Sequence, residues 1–345
     1  MKQRNKEKRK FLCAGIAVAI AFSCVGGVGC KKKTGDGITV YMPSGAPAVA
    51  MTKLLKEDTA NDGVSYYVVD PQTIKTYVNF ADGDKNADLC VLPANVASML
   101  LGSGEKYTML GTVTNGNLYL VSSSETEITD VALLTGKTVG IMSKQINAVP
   151  ALTFKATLQK AGVAWQQFSN DNQTPHADKV NIKPIGDVWG CDYYLLAEPT
   201  ASTNISGSAG TENELRLVGD LQELYAAATN SETYGYPQAV LVAKNSLLSE
   251  KTEFVQAFAK KVAESAEWVK TADGETIAAA VRGHFKDKTY TDRTMTAAVL
   301  KADVVGRCGI RFSYAVDCKA DMDEYLAAVN VATPNDAFYW TYRGE

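Results

Sequence analysis

Short apolar runs alternate with helix-spaced stretches along the first part of the chain, and this alternation limits the fold most. "ITVYM" (38–42) reads as a strand, and Pro47 opens a helical pattern over 47–60. "VSYYVVD" is a second strand, and Pro71 opens another helical stretch. "ADLCVLP" is a third strand, followed by "ANVASMLLGSG", a helix ended by glycine. Nearly continuous apolar strands separated by helices predict a parallel α/β sheet covered on both faces.

The pattern then changes and restarts. Residues 107–124 are β-rich, with Asn115-Gly116 as turn punctuation. "GKTVGIMS" begins a second α/β run: a strand, the helix "NAVPALTFKATLQKAG", then the strands "KVNIKPI" and "CDYYLLA". Residues 236–244 are β-rich again. From 249 onward the chain is mainly helical, including "RTMTAAVLKADVVG", with "IRFSYA" a strand and 318–330 a last helix. "TASTNISGSAGTEN" (200–213) reads as a loop of low complexity. The expected organisation is two α/β lobes, 38–120 plus 243–345 and 121–242, joined by two β-rich crossings. A cleft between lobes is a common ligand site, and a two-crossing hinge permits closure.

The N-terminus addresses location. The first ten residues hold six basic side chains and one acid, and residues 11–29 are uncharged. This is a secretory signal pattern, 1–29, with an uncleaved membrane span as the alternative. Gly29-Cys30 resembles a bacterial lipoprotein processing site, although Gly27 stands where that signal usually has Leu. "AFSC", ending at Cys24, is the second candidate. With Cys30 lipidated, 30–37 is a flexible tether. Losing 1–29 removes six of 35 Lys and Arg and one of 38 Asp and Glu, leaving 29 against 37, a net of −8. That acidity argues against nucleic acid as a partner.

Candidate chemistry is sparse. His176 and His284 each lack metal-ligand neighbours at the right spacing, so no metal and no cofactor are expected. There is no Gly-x-Ser-x-Gly elbow. "TGKTVG" lacks the leading glycine of a phosphate loop, having Val131 in its place, and precedes a strand instead of following one. Cys90 and Cys191 lie in apolar runs and read as buried thiols. Cys308 and Cys318 flank "GIRFSYAVD" and are a possible disulfide outside the cell.

Loops after strands carry the site candidates, because open α/β sheets bind ligands there. "MPSGAPAVA" offers Ser44 and Gly45, "LPANVA" offers Asn95, and "SKQINAVPA" offers Ser143, Gln145 and Asn147. Helix capping would explain any one of these loops. Asn115, Asn117, Glu198, Tyr234 and Gln238 strengthen convergence on a cleft.

"VLPANVASML", "LGTVTNGNLYLVSS", "LTGKTVGIM", "YYLLAEPTAS" and "YGYPQAVLVAK" occur in an order that resembles a family of solute-binding proteins of ABC importers. This is the nitrate/sulfonate/bicarbonate and thiamine-pyrimidine-precursor group. The resemblance implies a type II periplasmic-binding fold, a small solute, a membrane permease with its ATPase, and a monomer held extracytoplasmically by a lipid anchor. It places ligand contacts on Ser44, Gly45, Asn95, Asn117, Gln145, Asn147, Glu198 and Tyr236. Those loops lack Arg, which suits an uncharged or cationic polar molecule better than a dianion. One departure stands out: the family's helix between "VNIKPI" and "CDYYLLAEP" is missing, and parallel crossovers normally take about a dozen residues. The alternatives are a thiamine-pyrimidine-synthase-like enzyme, which needs a cleft histidine, and a ligand-sensing lipoprotein without a transporter. Mass spectrometry of the native N-terminus is expected to find lipid on Cys30; an intact Met1 would favour the span.

Overall fold

Two six-stranded sheets organise the computed structural model, which describes residues 37–58, 63–81, 83–169 and 173–344. The signal, Cys30 and all but the last residue of the tether lie outside the described residues. The first sheet contains β1 (Ile38–Pro43), β2 (Val64–Val69), β3 (Leu89–Pro93) and β4 (Tyr107–Thr114), together with β11 (Ala239–Lys244) and β12 (Ile310–Tyr314). Its strand order is β12-β4-β11-β3-β1-β2. The second sheet contains β5 (Leu118–Ser122), β6 (Thr138–Met142), β7 (Trp165–Gln167), β8 (Val180–Ile185), β9 (Tyr193–Ala197) and β10 (Arg216–Asp220). Its order is β10-β5-β9-β6-β8-β7.

Both sheets are mixed, where the apolar runs predict parallel ones. β1 runs parallel to β2 and β3, and β6 parallel to β8 and β9. β11 is antiparallel to β3 and β4, and β5 antiparallel to β9 and β10. The crossings explain this. Thr114 ends β4 beside Ala239, which starts β11. A chain returning directly from the other sheet enters at the edge where the parallel strands end, so it must run backwards. β5 enters the second sheet the same way, with Leu118 beside Ala197 at the end of β9.

Local reading holds where burial is one-sided. The helix Thr252–Trp268 buries Val255, Phe258, Ala259, Val262 and Ala266, the spacing of one helical face. Elsewhere tertiary contacts prevail. The stretch 47–60 is two helices, Ala46–Ala50 and Thr52–Lys56, interrupted at Met51. Pro71 leads only to a 3-10 turn, Ile74–Val78. In 293–306 only the helix Ala302–Arg307 forms; ahead of it, Asp292 accepts from the Thr294 amide and hydroxyl and favours a turn. The polar run at 200 is not a loop: Thr200–Ser208 is a helix. The Glu198 carboxylate caps its Ser202 amide, and Thr203 and Asn204 satisfy the carbonyls of Pro199 and Thr200.

The connection from β8 to β9 corrects the expected need for a helix. Both strands flank β6, and residues 186–192 cross it without secondary structure. An extended run at about 3.3 Å per residue spans one intervening strand and a sheet's length. The crossing lies close over β6 because Gly140 has no side chain. A Cβ there would lie 2.9 Å from Ile185 Cδ1 and 3.1 Å from Cys191 Sγ. Val188 and Cys191 then cover a small apolar cluster of Val121, Ile185, Tyr194, Leu196 and Ala201.

The possible Cys308–Cys318 disulfide is not formed; both thiols are free and buried. β12 separates the two positions, and the Cys318 thiol points at the Ser313 and Ala315 carbonyls. Burial pushes both thiols up. Cys90 is also a buried free thiol, whereas Cys191 is only half-buried.

Three segments meet where the chain passes between sheets. Asn115, one residue past β4, bonds to a distant segment: its amide N–H donates to Gly309 O at 2.8 Å, and its side chain donates to Arg311 O at 2.9 Å. Gly116, Gly235 and Gly309 all have positive φ, at 84°, 88° and 63°. A Cβ on Gly309 would fall inside the Gly116 carbonyl, and one on Gly235 inside the Asn115 carbonyl. Gln222 is fully buried beside them. Its carbonyl oxygen accepts from Leu118 N–H at 2.9 Å and Tyr236 OH at 3.0 Å, and its amide donates to Leu118 O at 3.1 Å. One side chain thus ties the first strand after the outward crossing to the return crossing. Gly309→Ala is expected to cost about 2 kcal/mol or more, from strain plus backbone overlap. Gly140→Val should cost about 1–3 kcal/mol by overpacking. Urea unfolding checks both, with Gly162→Ala, whose Cβ meets nothing within 4 Å, as the strain-only reference.

Candidate functional site

The ends of β1, β3 and β4 in one sheet face the ends of β6 and β9 in the other across a cavity of about 270 Å³. Six of the eight proposed contacts line it: Ser44, Gly45, Asn95, Asn117, Gln145 and Glu198. Asn147 and Tyr236 are not among its walls. Asn147 is exposed, two residues beyond Gln145. Tyr236 is buried in the hinge, its ring stacked on Tyr325 at 5.3 Å and its hydroxyl spent on Gln222. Tyr234 also lies elsewhere, donating to Asp220 at 2.7 Å.

A line of amides joins the two lobes along this cavity. Gln238 Nε2 donates to Asn117 Oδ1 at 2.6 Å, and Asn117 Nδ2 donates to Glu198 O at 2.9 Å. Glu198 N–H returns a bond to Asn117 O at 2.9 Å. This direction fixes the orientation of each amide in the line, because every donor already faces an acceptor. It leaves Gln238 Oε1 buried and without a partner. Asn95 Oδ1, on a side chain 5% exposed at the start of the helix Ala94–Leu101, is likewise unpartnered. A buried acceptor left unpaired costs about 1–3 kcal/mol, so two at one cavity ask for donors from a ligand.

Glu198 is occupied internally. Its Oε1 accepts from Arg307 Nε at 2.8 Å and Ser202 Oγ at 2.8 Å, and its Oε2 accepts from Ser202 N–H at 3.1 Å. Arg307 also donates to Ser202 Oγ at 3.1 Å and to Asp303 at 3.1 Å. This is an ion pair between lobes, since Arg307 ends the helix that leads into β12. The other carboxylate on the wall, Asp292, accepts Ser44 Oγ at 2.6 Å. Loops after strands could not reveal Asp292 or Arg307, because neither follows a strand.

Proline shapes the rest. Pro43, Pro47, Pro71, Pro93, Pro150 and Pro199 all line the cavity. Pro47 and Pro150 sit in the first turn of their helices, and Pro93 and Pro199 at the caps of theirs. Helix starts hold anions through free N–H groups, and proline has none. The Ala94 amide is used as well, donating to Gln238 O.

No protein-family model and no curated protein matches the chain. Solved structures do. An ABC transporter protein from Parabacteroides distasonis aligns with TM-score 0.62 and 18% identity, over 89% of this chain and 100% of that one. The periplasmic aliphatic sulphonate binding protein SsuA from Escherichia coli aligns with TM-score 0.57 and 12% identity, over 90% and 94%. The Candida albicans CA3427 gene product, described as having the generic periplasmic binding protein fold, aligns with TM-score 0.52 and 12% identity, over 88% and 92%. At these identities the likeness is one of fold: the two lobes have the periplasmic-binding-protein architecture.

Arg307→Ala should cost about 3 kcal/mol, because it strands a buried carboxylate while the guanidinium it removes is partly exposed. Adding Glu198→Gln should restore part of that loss. Chemical denaturation of the wild type, both single variants and the double variant checks this; additive losses would show that the pair carries no coupling.

Proposed function

We propose that the chain is the solute-binding component of an ABC importer, working outside the cytoplasm on a lipid anchor at Cys30. The observation that carries this reading is the cavity between strand ends of both sheets, with two buried acceptors awaiting a partner. Lobes joined by two crossings can close over such a cavity and present a loaded form to a permease. Fold neighbours that include a sulphonate-binding protein and other ABC components support the binding role. A tether would keep the binder close to its permease at high local concentration.

Ser44, Gly45, Asn95, Asn117, Gln145 and Gln238 are the proposed contacts, with Glu198 acting through its ion pair. The solute is small, polar and organic. The sulphonate of the bacterial neighbour is a poor guide, since the cavity wall carries two carboxylates and no Lys, Arg or His among the described residues. The enzyme alternative needs a histidine in the cleft. His284 instead faces Asp58 at 3.1 Å, and His176 lies exposed beside Asp178.

A thermal-shift screen of the mature protein against thiamine precursors, amines, sulfonates and nitrate tests the reading. A ligand at a hundred times its Kd is expected to stabilise by about 2.7 kcal/mol. Asn95→Ala and Gln238→Ala should each weaken that ligand about tenfold or more. Silence across all four classes sinks the binding reading, and turnover of any member sinks the non-enzymatic one.

A further inference from the structure

The geometry points to a solute that carries a positive charge on nitrogen with N–H groups, such as a primary ammonium or an amidinium, with Asp292 as the residue that selects it. This inference rests on the solute-binding reading and narrows it to a ligand class.

The cavity wall contains two carboxylates, Glu198 and Asp292, and no Lys, Arg or His among the described residues. Their situations differ. Glu198 is fully screened from solvent and cancelled by Arg307. Asp292 makes no ion pair among the described residues; its partners are the Ser44 hydroxyl and the Thr294 amide and hydroxyl. The groups packed around it do not neutralise it. Tyr290 is pushed up to about 12, first by burial and then by Asp292 and Asp70, so it stays uncharged. Asp70, after β2, adds negative potential on the same side; its carboxylate accepts the Gln72 amide, and its backbone carbonyl accepts the Thr73 amide and hydroxyl. Arg293 is exposed and turned away to Asn204 of the other lobe, at 3.5 Å.

A net negative wall in a low-dielectric cleft favours a cation. The buried oxygens of Asn95 and Gln238 add a second requirement. They accept hydrogen bonds, and Gln238 offers none because its amide nitrogen is spent on Asn117, so the cation must donate. A quaternary ammonium meets the first demand and fails the second. An anion fails both.

The test uses isosteric probes on the full mature protein: benzamidine, benzamide and benzoate, with phenyltrimethylammonium as the cation lacking N–H. An aliphatic set of butylamine, butyramide and butyrate covers a slimmer ligand. Isothermal titration at low salt is expected to show each N–H cation binding at least tenfold tighter than its neutral partner, and the quaternary cation no better than the neutral one. Asp292→Asn should erase that preference. The wild-type comparison decides the matter even where Asp292→Asn fails to fold. Neutral or anionic probes that bind as tightly as the cations, and are lost in Asn95→Ala, would overturn the charge assignment and leave the binding reading standing. No binding by any probe would overturn both.

Discussion

Gln222 is the group on which the two-lobed arrangement depends. A hinge must let two bodies move and yet fix where each begins, and backbone alone does this poorly. Here one buried amide uses both of its ends on the backbone of Leu118 and its oxygen again on Tyr236. It can do so only because Gly116 leaves room: a Cβ there would meet the Gln222 side chain at 2.6 Å. The neighbouring glycines let three segments approach to backbone contact. The cleft follows from this, because Asn117 and Gln238 sit immediately beside the crossings and are held in register by them.

The polar chemistry of the cleft is arranged by subtraction. Prolines remove donors from the helix starts, and Arg307 removes the charge of Glu198. The Glu198 carboxylate takes the place at the Thr200–Ser208 helix that an anionic ligand could otherwise occupy. What remains includes two buried amide oxygens and one carboxylate with neutral partners. Such a site rejects by what it cannot supply, which is a form of specificity that costs no contact with the favoured ligand.

Much of this was legible in the sequence. The apolar strands and the alternation of elements located the sheets, and loops after strands located six residues of the cavity wall. What escaped was set by partners distant in sequence. The polar run at 200 became a helix because Glu198 caps it and hydroxyls bind back to carbonyls, a choice invisible to low-complexity composition. Asp292 and Arg307 enter the site from a segment with no strand before them. Tyr236 fits the motif that suggested it, but the return crossing turns its ring towards Tyr325 instead of the cavity. Strand direction was missed because apolar runs report burial and not the edge at which a strand enters its sheet.

The bare crossing between β8 and β9 has a consequence for how stability is distributed. A helix would cover this face with its own hydrogen-bonded surface; residues 186–192 cover it with Val188 and Cys191, while Trp189 stands 74% exposed. Only five buried residues form the cluster beneath, against the continuous core that holds both sheets elsewhere. Local opening free energy follows buried apolar contact. The face beneath this crossing is therefore held by less buried apolar contact than the opposite face, where Val180 and Ile182 of β8 belong to the continuous core, so the second lobe opens more cheaply on the side of the crossing.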